Sequence, residues 1–142
     1  MEKIWHPGVT LAQLREQCSG TAIEHLGILL TELGADFLAG TMPVDHRTCQ
    51  PMRLLHGGAS VALAETLGSL AANAARRTPD RAYVGQEINA NHLRRAHVGE
   101  TVTGTARPFH IGAASQVWGI EILNERQQRV CVARITLAAI AR

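Results

Sequence analysis

The stretch LLHGGASVALAETLGS, residues 54–69, sets one carboxylate, Glu65, among alanines and leucines, with Gly57 and Gly58 a short way upstream. Surrounding an ionised carboxylate with apolar groups is costly unless something pairs with it or uses it. The glycines suggest a use. The first turn of a helix leaves backbone N–H groups without partners, and its dipole favours negative charge, so Gly57 and Gly58 are placed to hold an oxyanion forming on a carbonyl. Glu65 then serves as general base toward water, or attacks the acyl carbon itself. Ser69, one helical turn further on, and the adjacent Thr66 supply hydroxyls that orient water or the carboxylate.

One dimension does not fit inside a single chain. Gly57 and Glu65 are eight positions apart, roughly 12 Å along one helix at about 1.5 Å per residue. A carbonyl under attack needs its oxyanion donors and its attacking group within about 3–3.5 Å. A homodimer resolves this if the Gly57 turn of one subunit faces Glu65 of the other across a two-fold axis, giving two equivalent sites.

These groups need a helix, and Val61, Ala64, Leu67, Leu70 and Ala71 recur at helical spacing from about Ala59 to Arg77, ending at Thr78–Pro79–Asp80. Upstream, Thr10 and Gln13 have capping-box spacing for a short first helix through Cys18. LGILLTEL (26–33) and DFLAGTMP (36–43) read as a hairpin turning at Gly34–Ala35, followed by a polar loop over 44–53. Strands are expected at 83–93, 101–111, 115–123 and 129–140, able to pair in sequence order. Trp118, Ile120 and Ile122 share one strand face, as do Ile88, Ala90 and His92 on another. The pattern is one α+β domain over residues 1–142, a mostly antiparallel sheet against one long helix.

Composition narrows the function. The net charge is +2 with dispersed basic residues, Arg76–Arg77 and Arg94–Arg95 being short pairs, which argues against a nucleic-acid partner and leaves an anionic small molecule open. No apolar run reaches the roughly 20 residues of a membrane span. Cys18, Cys49 and Cys131 are odd in number and lack metal spacing, and MEKIWHPGVT has no signal-peptide core, so a reducing cytoplasm is expected. Cys49, His56 and His92 show no zinc spacing either, and no metal or organic cofactor is expected.

MPVDHRTCQPMRLLHGGASVALAETLGS (42–69), VGQEINANHLR (84–94) and FHIG (109–112) closely resemble the hotdog-fold acyl-CoA thioesterases. The nearest branch holds the bacterial 1,4-dihydroxy-2-naphthoyl-CoA thioesterase of menaquinone synthesis and the proofreading thioesterase of enterobactin synthesis. The resemblance implies a sheet wrapped round a central helix, a dimer with one continuous sheet, and a homotetramer of two dimers. It implies Glu65 as the catalytic carboxylate, Gly57 as backbone oxyanion donor, and Gln50 and His56 in contact with the thioester. Ser69 would place water from the Glu65 side, His92 would line the acyl pocket, and coenzyme A would enter only as part of the substrate. Close relatives often carry Phe-Gly where this chain has Met52–Arg53, and arginine where it has Ala113; Met52 and Arg53 are the substrate-contact candidates there.

The expected activity is hydrolysis of aryl or medium-chain β-hydroxyacyl thioesters of CoA. Two rivals share the fold: a hydratase or dehydratase acting on acyl thioesters, and a non-catalytic acyl-CoA binding protein.

Overall fold

The computed structural model describes residues 2–75 and 78–142. Two short helices, α1 (Leu11–Gln17) and α2 (Ala22–His25), lead into strands β1 (Leu29–Leu33) and β2 (Leu38–Pro43). The long helix α3 (Gly57–Ala74) follows, then β3 (Arg81–His92), β4 (Thr101–Ile111), β5 (Ser115–Leu123) and β6 (Arg129–Ala141). The strands form one antiparallel sheet in the order β1-β2-β4-β5-β6-β3.

Thr10 and Gln13 form the capping box of α1, the Thr10 hydroxyl accepting from Gln13 N–H and the Gln13 side chain from Thr10 N–H. The helix α2 went unread, being a single turn capped by Thr21. The helix α3 begins at Gly57, two residues before the expected start, because His56 caps it. Its expected end at Arg76–Arg77 lies outside the described residues.

Close approach explains the small residues. A Cβ on Gly104 would lie 2.7 Å from Leu67 Cδ1, one on Gly40 3.1 Å from Leu67 Cδ2, and one on Gly68 2.5 Å from Ile135 Cγ2. Leu67 is seated over two sheet glycines, and Ile135 fills the notch of a helix glycine. The interlock brings α3 close enough to the sheet to bury Leu63, Ala64, Leu67 and Ala71 completely. Trp118, Ile120 and Ile122 are buried on the face expected. Trp5 stacks on Trp118 with ring centroids 6.2 Å apart, and Trp5 Nε1–H donates to the Gly34 carbonyl at 2.6 Å.

Pairing in sequence order fails at β3, which lies against β6 along its whole length and does not touch β4 as a ladder partner. The reason is steric: β2 already occupies the free edge of β4, so β3 is left at the far side of the sheet. It is twelve residues long and mostly exposed. The opposite edge is blunted, β1 being five residues long and tied to α1 by Arg15 Nε–H donating to the Leu30 carbonyl at 2.8 Å. A long, open edge strand is a template for another chain.

Candidate active site

A turn ahead of α3 fixes the first donor. Arg53 N–H donates to the Gln50 carbonyl at 2.9 Å and Gln50 N–H to the Leu54 carbonyl at 2.8 Å. Met52 N–H donates to the Gln50 side-chain oxygen. The carboxamide is therefore held by its acceptor end, and its NH2 remains as the donor end. Arg53 closes the turn at φ 62°, a left-handed conformation that glycine adopts without cost. That is the position where the resembled thioesterases often carry glycine.

The loop before this turn is pinned by Asp45, whose carboxylate meets the Arg47 guanidinium at 2.7 Å. Hydrogen bonds from the Arg47 side chain and backbone hold the Asp45 carboxyl down at about 2, well below its ordinary value. Thr48 Oγ donates to the Pro43 carbonyl at 2.6 Å, and the Thr48 carbonyl accepts His56 N–H at 2.8 Å. The loop thus delivers His56 to the start of α3.

His56 Nδ1 accepts Gly58 N–H at 2.8 Å. A ring nitrogen that accepts carries no proton, so neutral His56 holds its proton on Nε2, at the outer side of the ring. The same contact separates the two glycines, which helix-start chemistry alone leaves equivalent as oxyanion donors and of which the resemblance singles out Gly57. Gly58 N–H is taken by His56 Nδ1, and the Ala59 and Ser60 N–H groups donate to the His56 carbonyl at 3.0 and 3.2 Å. Among the described residues, the Gly57 N–H is the first-turn amide left without an acceptor.

Gln50, Gly57 and His92 line one groove of about 370 Å³, together with Leu55, Ser60 and Val130. The His92 ring lies over Gly57, where a Cβ would stand 2.9 Å from Nε2. Met52 and Arg53 sit on the adjacent exposed turn rather than among the lining residues. A larger hollow of about 610 Å³ lies near the other end of α3, bounded by His6, Val9, Leu14, Asn73 and Ala74.

Glu65 is not in the groove. Its carboxylate lies against Gly85 of the edge strand, so closely that a Cβ there would be 2.2 Å from Oε1. The strand bulges between Gly85 and Glu87, and among the described residues no group hydrogen-bonds or ion-pairs with Glu65. Ser69 follows one turn along α3, its carbonyl accepting Asn73 Nδ2–H at 2.9 Å, and Thr66 stands half-buried beside Glu65. Gly85 and His92 are seven residues apart on β3, about 23 Å of strand. The amide, carboxamide and imidazole thus gather near the His92 end of β3, and the bare carboxylate lies at the Gly85 end.

Gly85 was missed as a site residue. Its signal was an isolated glycine within YVGQEINANHL, which marks a bulge or a close approach. Among the described residues no three His, Cys, Asp or Glu side chains group as metal ligands, and no helix is long and apolar enough to cross a membrane.

A six-stranded antiparallel sheet packed against one long helix is the hotdog arrangement. Residues 52–131 match the thioesterase superfamily. The chain is 49% identical to the proofreading thioesterase EntH of Cronobacter sakazakii, over 95% of this chain and 97% of that one. It is 45% identical to the 1,4-dihydroxy-2-naphthoyl-CoA hydrolase of Escherichia coli, over 95% and 98%. A thioesterase structure from Haemophilus influenzae superposes with a TM-score of 0.91 at 47% identity, covering 97% of this chain and 95% of that one. The chain belongs to the thioesterase superfamily, and it is a thioesterase of the hotdog fold.

Proposed function

We propose that this thioesterase hydrolyses acyl-CoA thioesters, with aryl or medium-chain β-hydroxyacyl groups, at two sites shared across a homodimer. The observation that carries the reading is the separation of the unclaimed Gly57 N–H from the unpaired Glu65 carboxylate on one open strand edge. Two β3 strands pairing antiparallel about an axis between Ile88 and Asn89 set Gly85 of one copy opposite His92 of the other. Each carboxylate then meets the partner's groove. Two such dimers packed together give the tetramer.

In this reading the thioester oxygen takes the Gly57 N–H, with the Gln50 NH2 and His56 Nε2–H as further donors, and the charge building on it is held there. Glu65 from the other chain removes a proton from water, or adds to the acyl carbon and is released by water; Ser69 and Thr66 supply hydroxyls beside it. In sum a C–O bond forms, the C–S bond breaks, and the proton taken from water ends on the departing CoA thiolate. His92 borders the acyl group, with Met52 and Arg53 at the mouth. No step calls for a metal or organic cofactor, and the three free thiols suit a reducing cytoplasm.

The test is thiol release from benzoyl-, naphthoyl- and β-hydroxyacyl-CoA by the parent and by Glu65→Ala. The expected result is turnover of at least one aryl or β-hydroxyacyl substrate and a loss of about 10³-fold or more in the variant. Equal rates in parent and variant would overturn the assignment of Glu65.

A further inference from the structure

The free edge of β3 is closed at one end. Opposite Tyr83 on β6 stands Ala139, whose N–H goes to the Ala114 carbonyl on its other side at 2.9 Å. Tyr83 and Ala139 are thus a pair that exchanges no ladder bonds, and the N–H and carbonyl of Tyr83 turn away from β6. The Asn73 carboxamide takes both. Its Oδ1 accepts Tyr83 N–H at 3.0 Å, and its Nδ2 donates to the Tyr83 carbonyl at 2.8 Å. One side-chain amide does here what a residue of a neighbouring strand would do.

Both partners of this clamp are fixed from behind. Asn73 Nδ2 also donates to the Ser69 carbonyl, one turn back, at 2.9 Å, so the helix sets the carboxamide before it reaches the strand. The Tyr83 ring is buried, and its hydroxyl donates to the Gly112 carbonyl at 2.9 Å. Among the described residues, the two Asn73–Tyr83 bonds are the hydrogen bonds that join α3 to β3.

Two periodicities carry the clamp to the carboxylate. Glu65, Ser69 and Asn73 follow one another at four-residue steps on one face of α3. Tyr83 and Gly85 are two apart on β3 and share the face turned to the helix. Glu65 rests against Gly85 without room for a Cβ between them, and among the described residues it has no hydrogen bond or ion pair of its own. Packing on the strand is therefore what locates the carboxylate. Just beyond Gly85 the ladder to β6 is interrupted by the bulge, which leaves this stretch of β3 to be held from the helix side.

We propose that Asn73 is a positioning residue for Glu65: by gripping both backbone groups of Tyr83 it fixes the strand on which the carboxylate is seated. Its effect on rate rests on the reading of Glu65 as the group that acts on the thioester, and the experiment separates the two. The variants are Asn73→Leu, of similar size with neither donor nor acceptor, and Asn73→Asp, which keeps an acceptor for Tyr83 N–H and loses the donor to its carbonyl. Thiol release should show kcat lowered about tenfold or more in Asn73→Leu and by less in Asn73→Asp. KM should stay within twofold, because the groove at Gly57 lies toward the other end of β3. On a Glu65→Ala background Asn73→Leu should cost nothing further, since it acts through the carboxylate. Amide hydrogen exchange gives a second reading: Tyr83 N–H should exchange at least tenfold faster in Asn73→Leu, while Val84 N–H, which turns to β6, changes less than threefold. Melting curves establish that each variant is assayed folded, and Asn73→Asp carries the same comparisons if Asn73→Leu does not fold.

A kcat within threefold of the parent in the folded variants, or an equal loss on the Glu65→Ala background, overturns the positioning role. Exchange that rises equally at Tyr83 and Val84 also overturns it, because the side chain then serves only the stability of the whole sheet. If Glu65→Ala keeps the parental rate, it is the reading of Glu65 that fails, and the exchange rates still decide whether Asn73 fixes the strand beneath it.

Discussion

Replacing Gly85 by alanine adds one methyl group to an exposed strand and aims it at Glu65, the carboxylate proposed to act on the thioester. The new Cβ would stand 2.2 Å from Glu65 Oε1 and 3.2 Å from Cδ. Carbon and oxygen settle at about 3.3 Å or more, so the carboxylate must retreat by about 1 Å. The obstruction is the far end of a flexible side chain, and alanine suits a strand better than glycine by about 0.5–1 kcal/mol. The fold should therefore survive with an unchanged or slightly higher melting temperature. Catalysis should not, since a displacement of about 1 Å costs on the order of 10²-fold. Thiol-release kinetics on the best acyl-CoA give the rate, and thermal melting gives the stability. Adding Gly85→Ala to Glu65→Ala should produce no further loss, because the methyl acts only through the carboxylate. A Gly85→Ala variant within threefold of the parent in kcat would refute the claim that Glu65 reacts from its seat on β3.

Substitutions at three further positions probe the groove's supports. His56→Ala removes the acceptor of Gly58 N–H and should lower stability by about 1 kcal/mol in chemical denaturation; His56→Asn should restore the cap while leaving kcat depressed. Arg53→Gly relieves a left-handed arginine and should raise stability by about 1 kcal/mol without altering kcat by more than severalfold. The Asp45 carboxyl is held at about 2 against an ordinary 3.8 by the Arg47 hydrogen bonds. A lowered folded-state value means that the pair's contribution is present above about pH 4 and is lost as pH falls toward 2. Melting temperatures from pH 5 to 2 should accordingly fall less steeply in Asp45→Asn than in the parent.

The long helix and the strands were legible because α3 carries its apolar residues at helical spacing and β5 alternates faithfully, with Trp118, Ile120 and Ile122 inward. The sheet order was not legible. Nothing local in YVGQEINANHL says that it pairs with β6 rather than β4, because ladder partners are chosen by which edge remains free once β2 and β4 have joined. The candidate site is legible only as a list of residue types around Gly57 and Glu65, and the roughly 12 Å of helix rise between them is what leads to the expectation that they act from different chains. Helix-start chemistry alone leaves Gly57 and Gly58 equivalent, and only the resemblance singles out Gly57, since the physical choice between them depends on where the His56 ring turns. Gly85 escaped for a similar reason. Its meaning comes from a helix residue twenty positions away.

The sharing of each site between two chains is tested most directly by mixing two inactive variants, Glu65→Ala and Gln50→Ala, under conditions that exchange subunits. Random reassortment makes about half of the dimers mixed, and each mixed dimer holds one intact site, made of the groove of the Glu65→Ala chain and the carboxylate of the Gln50→Ala chain. Activity should rise from near zero in either pure variant to about a quarter of the parental value per mole of chain. A mixture with exchange verified by mass spectrometry that stays as inactive as its parts would contradict the shared site.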